Sequence, residues 1–227
     1  PSPTYPGILK PDLMAPGTLV LAAWIPDDRV SNIGSNIGLS NSDDFNLISG
    51  TSMACPHGAG IAALLKGAHP AWSPAAIRSS MVTTANPLDN TGNPIREING
   101  FNNPIASPLS MGAGQVNPNS ALDPGLIYDA TAQDYMELLC SINYTRKQIR
   151  TITRSSYNCS KASSDLNYPS FVSLYTYGTN ASTQNFKRIV TNVGDGAATY
   201  KAKVTPPEGS VVTVFPETLV FRKKYEK

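Results

Sequence analysis

Residues 52–67 hold the tightest constraint on what this chain can fold into. They read SMACPHGAGIAALLKG, and small or apolar residues from Gly58 to Leu65 surround nearly the whole circumference of a helix. A helix that is apolar all round is stable only when other elements cover each of its faces, so the pattern predicts a helix buried at the centre of a layered domain. Pro56 helps to place its start. The first four helical N–H groups have no intrahelical partner, so a proline at about the fourth position costs little, and the helix is expected to begin close to Ser52. Gly67 supplies the stop.

The flanking segments fit such a core. Residues 18–24, TLVLAAW, follow Pro16-Gly17 and end before Pro26, which predicts a strand buried on both faces. Residues 27–44 turn polar and contain the tandem SNIGSNIG at 31–38, a surface loop, and 45–49 run extended into the helix. Ser73-Pro74 is an N-cap with proline at the first helical position, opening a second helix through Ile77 and Val82 to about Ala85. Residues 86–125 are rich in Pro, Gly and Asn and read as loops, and 132–140 read as a short helix with Tyr135, Met136 and Leu139 on one side. After about residue 165, β-branched runs recur at 171–176, 186–193, 199–205, 211–215 and 218–221 between turn residues, an antiparallel β module. An immunoglobulin-like sandwich needs about seven strands and ~100 residues, so the last strands of this one are expected to lie beyond the chain. The division is 1–130, a connecting helix and loop at 131–165, and a β domain at 166–227.

Composition excludes several classes of function. The net charge is only +2, with lysines and arginines scattered apart from Arg222-Lys223-Lys224, so nucleic acid is not an expected partner. The two successive helices carry only Lys66 and Arg78 as basic residues, which argues against a DNA-reading pair. No apolar run approaches the ~20 residues of a membrane span. No Cys/His cluster has zinc spacing and no glycine loop follows a strand to cradle phosphate, so neither metal nor cofactor is expected. Three Asn-x-Ser/Thr triplets, at Asn143, Asn158 and Asn180, point to a secreted glycoprotein. Cys140 and Cys159 flank one polar segment and form a candidate disulfide, worth ~3 kcal/mol in the chain-entropy model. Cys55 is left over and is expected to be buried.

Ser52 is the candidate nucleophile. At a helix N-terminus a serine sits among unpaired N–H groups and the positive end of the helix dipole, which is half of what acyl transfer requires; the alternative is that it only caps the helix. The other half is a base, and the chain has two histidines. His57 lies five residues on, a rise of ~7.5 Å and a net rotation of about 140°, so the two side chains leave on different faces. His57 is therefore expected to pack in the core, and His69 to sit in a loop before Pro70. Asp27, Asp28, Asp43 and Asp44 read as solvated loop carboxylates. The base comes from elsewhere, or catalysis is absent.

GTSMACPHGAG (50–60) resembles the nucleophile motif of the subtilisin-like serine proteases, in the spelling of their plant, cucumisin-like branch. ILKPDLMAPGTLVLAAW (8–24), HPAWSPAAIRSSMVTTA (69–85), GAGQVNPNSALDPGLIYD (112–129), DLNYPSF (165–171) and RIVTNVG (188–194) are similar to further family segments in the expected order. The resemblance implies an α/β fold: the C-terminal part of a parallel α/β catalytic domain followed by an incomplete fibronectin-III-like β-sandwich. It implies that Ser52 is the nucleophile, that its backbone N–H is one oxyanion donor, and that Gly50 and Thr51 bind substrate. It places the triad Asp and His and the oxyanion Asn in an N-terminal part of the protease outside these residues, so that the isolated chain is expected to be inactive. The implied substrate is a protein or peptide, and the implied location is extracellular, in the apoplast or cell wall. A non-catalytic secreted glycoprotein and an esterase remain as alternatives at this level.

Overall fold

A computed structural model describes residues 5–24, 45–98, 102–155, 159, 161–175 and 183–227. The elements in chain order are β1 (Val20–Ala23), β2 (Phe45–Ile48), α1 (Thr51–Ala68), α2 (Pro74–Thr83), α3 (Pro108–Met111), α4 (Pro118–Leu122), β3 (Leu126–Tyr128), α5 (Ala132–Ser141), α6 (Arg146–Thr153), β4 (Val190–Asn192), β5 (Ala198–Lys201) and β6 (Thr218–Phe221). The tandem SNIGSNIG and the four loop aspartates lie outside the described residues.

The central helix is α2 rather than α1. Ser73 caps it, its side chain accepting from the Ala76 N–H at 3.0 Å, and six of its residues are buried: Ala75, Ala76, Ile77, Ser79, Ser80 and Val82. These face two ways. On one side Ala76 and Ile77 join Leu65 of α1, Trp72, Ala121 of α4, Ile127 of β3 and Val193 in one cluster. On the other, Ala75 joins Ala130, Leu138 of α5, Leu166 and Tyr168. The fully buried Ser79 hydroxyl accepts from the Tyr128 N–H at 2.8 Å, tying β3 to α2.

Helix α1 corrects the sequence expectation. Only Leu65 of its residues is buried, and Leu64 is 71% exposed. The strand expected to be covered on both faces is β1, and it too is open, with Leu21 69% exposed; β2 beside it leaves Phe45 59% exposed. Apolar patterning records that a face is meant to be covered, and the described residues cover only the Leu65 side of α1.

The sheets are small. β1–β2, β3–β4 and β5–β6 form three two-stranded antiparallel pairs, with Val20 opposite Ile48, Leu126 opposite Asn192 and Ala198 opposite Phe221. A parallel pairing occurs as the bridge between Met14 and Gln115. In the β module, 171–175 and 211–215 are not strands, and Val211 and Phe215 are 94% and 98% exposed. A strand needs a neighbour for its ladder bonds, and among the described residues none pairs with them. β4 pairs outside the module, with β3. Buried Asn192 ties β4 to the turn after it and to the C-terminal segment: its amide donates to the carbonyls of Gly196 and Lys223, and its backbone exchanges hydrogen bonds with Tyr225 and Glu226.

Helix α5 forms as expected, although Leu138 is its core residue instead of Tyr135, Met136 and Leu139. Helix α6 and the short α3 and α4 interrupt what reads as loop in the sequence. Asp12 ties the N-terminal segment to the 165–168 segment: its carboxylate accepts from Tyr168 Oη and, at 2.6 Å, from Lys10 Nζ, while Lys10 also donates to Tyr168 Oη at 2.9 Å. Arg78 of α2 lies over the Tyr168 ring, 4.6 Å from its centroid. Burial, then the hydrogen bond to Asp12, pushes the Tyr168 phenol above its ordinary pKa.

Candidate functional site

Ser52 is the second residue of α1 and is exposed. The turn that delivers it is held from the N-terminal segment: Gly50 N–H donates to Gly17 O at 2.8 Å, and Leu19 N–H donates to Ser49 Oγ at 2.8 Å. The helix then starts on the Gly50 carbonyl, which accepts from Met53 N–H at 3.0 Å and Ala54 N–H at 3.2 Å. Gly50 is the N-cap, with extended backbone (φ 164°, ψ 165°), and no side chain caps the helix. The capping role weighed against catalysis is therefore not the one Ser52 plays.

Two helical hydrogen bonds are open at this residue. The Thr51 and Ser52 N–H groups lie in the first turn, where the residues four places back are not helical, and they point with the positive end of the dipole. Pro56 is the sixth helical residue (51 to 56), two places later than the sequence suggested. It has no N–H to give to the carbonyl four residues back, which is that of Ser52. A hydroxyl, an unpaired N–H and an exposed face thus coincide at one residue, the arrangement acyl transfer needs around its nucleophile.

Gly17 is a contributor that sequence reasoning missed. A methyl group there would stand 2.8 Å from Gly50 O, 2.9 Å from Ala54 Cβ and 3.0 Å from Ala54 N. A side chain at Gly50 would instead meet nothing closer than 3.8 Å, at Met53 Sδ and Ser52 N. Gly17 is required by packing, whereas the space beside Gly50 is open next to the Ser52 N–H. The Pro16-Gly17 dipeptide was visible in the sequence, but only as a strand boundary.

Neither histidine approaches Ser52 as a partner. His57 is exposed, not packed in the core, and its Nδ1 is 2.8 Å from the Met53 carbonyl, one turn back on α1. His69 caps the C-terminus of α1, stacks on Trp72 with ring centroids 3.8 Å apart, and places Nε2 2.8 Å from Leu122 O. Cys55, expected to be buried, is free and exposed, because the α1 face it occupies is uncovered.

Cys140 and Cys159 are joined by a disulfide with Cα atoms 5.5 Å apart. Asn143 is exposed at φ 65°, between α5 and Thr145, the N-cap of α6. Asn158 and Asn180 lie outside the described residues. Two cavities of about 330 Å³ are lined in part by Trp72, Ser73, Asp129 and Tyr225, and by Met14, Glu97, Ile98 and Met111; neither includes Ser52. Among the described residues no three His, Cys, Asp or Glu side chains are grouped to hold a metal ion, and no helix is long and apolar enough to cross a membrane.

Residues 1–114 match the model of the subtilase family, and residues 165–227 match that of a fibronectin type-III domain. The chain is 60% identical over 231 residues to the subtilisin-like protease SBT3 of Solanum lycopersicum, covering 100% of this chain and 30% of that protein. It is 48% identical over 233 residues to SBT1.5 and 46% over 232 residues to SBT1.7, both subtilisin-like proteases of Arabidopsis thaliana, covering 29% and 30% of them. The chain thus spans about 30% of the length of the curated relatives it matches.

Proposed function

The chain belongs to the subtilase family, and on that premise we propose that it is the nucleophile-bearing, C-terminal part of a secreted serine endopeptidase. Ser52 Oγ attacks the scissile carbonyl of a protein or peptide. Its proton passes to a histidine imidazole and from there to the departing amine, leaving an acyl-enzyme that water hydrolyses. The Ser52 N–H donates to the oxyanion, and the open space beside Gly50 and Thr51 receives the substrate backbone. The observation that carries this reading is the exposed Ser52 hydroxyl on the first turn of α1, beside an N–H without a helical partner.

The histidine, its orienting aspartate and a second oxyanion donor belong to the part of the polypeptide N-terminal to this chain. Both histidines present here are occupied elsewhere, at Met53 O and at Leu122 O. The exposed apolar side chains of Leu64, Leu21 and Phe45 supply the surface against which that part packs. The isolated chain consequently has no proteolytic activity. The sequons at Asn143, Asn158 and Asn180 and the Cys140–Cys159 disulfide fit an extracellular protein, in the apoplast or cell wall. Replacing Ser52 by Ala in the full-length protein lowers turnover by about 10⁶-fold, as loss of a triad nucleophile does; a loss of only a few-fold would remove the assignment.

A further inference from the structure

Helix α6 gathers basic residues that look scattered in the sequence. Residues 138–164 contain Arg146, Lys147, Arg150, Arg154 and Lys161 and no aspartate or glutamate. The other parts of the chain hold 18 − 5 = 13 basic against 16 acidic residues, a net charge of −3, so the whole positive excess of this +2 chain resides in that one segment.

The fold turns the segment into a ridge. At 100° per residue, positions 146, 147, 150 and 154 fall within an arc of about 100°. Ile149, about 60° outside that arc, is 1% exposed and anchors the helix, so the arc faces outward, and all five basic residues are exposed. The ends are fixed. The capping box of Thr145 and Gln148 closes the N-terminus, Arg154 ends the helix in the left-handed region, and the Cys140–Cys159 disulfide staples the flanking loop. The three ion pairs among the described residues use Lys10, Arg188 and Lys224, so Lys147, Arg150, Arg154 and Lys161 are in none of them.

The chemistry of the ridge narrows its partner to a flexible polyanion. Residues 146–154 contain no aromatic side chain on which bases would stack. Ile152, the exposed apolar residue of the helix, points about 170° from the centre of the basic arc, so the ridge lacks the apolar edge with which a membrane-surface helix inserts. We propose that this basic segment docks the protein on an acidic polysaccharide, a linear polymer whose uronic carboxylates pair with Lys147, Arg150 and Arg154 on the ridge and with exposed Lys161 further along the chain. The choice of a polysaccharide rests on the extracellular reading above; the ridge does not.

The test is retention of the full-length protein on immobilised polygalacturonate. The variant combines Lys147→Gln, Arg150→Gln, Arg154→Asn and Lys161→Gln, chosen to keep helix propensity and the left-handed cap; Arg150→Gln alone is the milder second variant. With four charges paired and ~0.7 counterion released for each, raising salt from about 50 to about 200 mM weakens binding of the parent about 50-fold. The fourfold variant loses retention, keeps the parent's thermal midpoint and hydrolyses a soluble peptide as the parent does, and Arg150→Gln shifts elution to lower salt. Fully methyl-esterified polymer retains neither protein. Passage of the parent through the column, or equal retention of the variants, overturns the proposal. Retention of the parent by duplex DNA or by anionic phospholipid vesicles as strong as by polygalacturonate overturns the polysaccharide assignment. Because binding is read without catalysis, failure of the protease reading leaves this result interpretable.

Discussion

Replacing Gly17 by Ala tests how the nucleophile is held in place. The added methyl group would lie 2.8–3.0 Å from Gly50 O, Ala54 Cβ and Ala54 N, against a comfortable carbon contact of about 3.5–4.0 Å. Two of those three atoms are backbone and none can rotate away, so the first turn of α1 and the 17–19 segment must separate by roughly 0.5–1 Å. Overpacking of this kind costs about 1–3 kcal/mol. The displaced turn is the one that carries Ser52, and a misplacement of about 1 Å at a reacting group costs on the order of 10²-fold in rate. Gly50→Ala supplies the contrast: its backbone is extended, which any residue adopts, and its nearest new contact is 3.8 Å. The assay is kcat/KM on a peptide substrate, with thermal midpoints, for the full-length protein and both variants. Gly17→Ala lowers kcat and midpoint together, whereas Gly50→Ala leaves the midpoint alone and weakens turnover by filling the space beside the Ser52 N–H. If Gly17→Ala stays within two-fold of the parent in both measurements, the account of how the turn is positioned is wrong.

Other perturbations separate the parts of the account. In the full-length protein Leu64→Ala destabilises by about 2–5 kcal/mol if the N-terminal part covers the outer face of α1, and by a few tenths if that face stays open; equilibrium denaturation decides between them. Tyr168→Phe removes the hydroxyl that bonds Asp12 and Lys10 and lowers stability by about 1–3 kcal/mol, and an unchanged denaturation midpoint would show that the cluster does not tie the 165–168 segment to the core. Hydrogen bonds from the Ser110 hydroxyl and then the Ser107 N–H hold the Glu97 carboxyl below its ordinary 4.5. A carboxyl depressed in the folded state stabilises above its unfolded value and loses that contribution as pH falls through the folded one. Glu97→Gln therefore narrows the gap between midpoints measured at neutral pH and below about pH 4.5; an identical acid limb would contradict the assignment.

What the sequence showed was local, and what it concealed depended on neighbours. The α2 start was legible because Ser73-Pro74 states a cap and a first helical residue in two letters. Ser52 was placed correctly at a helix start, and the distance to His57 followed from helix geometry alone. The burial of α1 was misread because composition records which faces want cover, and cover is supplied by other segments. Helix α6 was missed because Ile149 and Ile152 are its only large apolar residues, too few for a period; the signal present was Thr145-x-x-Gln148, the same capping box that Thr131 and Asp134 build on α5. The basic ridge was hidden for the same reason, since charges four residues apart look scattered until a helix stacks them. The expected strands at 171–176 and 211–215 have the right residue types, but 171–175 and 211–215 lack a partner among the described residues.

The most direct measurement is covalent labelling with a fluorophosphonate followed by peptide mapping. In the full-length protein the label lands on Ser52, with a rate that falls as the borrowed histidine is protonated at low pH, and the 227-residue chain alone stays unlabelled under the same conditions. Label on another residue, or labelling of Ser52 in the isolated chain as fast as in the full-length protein, contradicts a nucleophile that depends on a base from outside these residues.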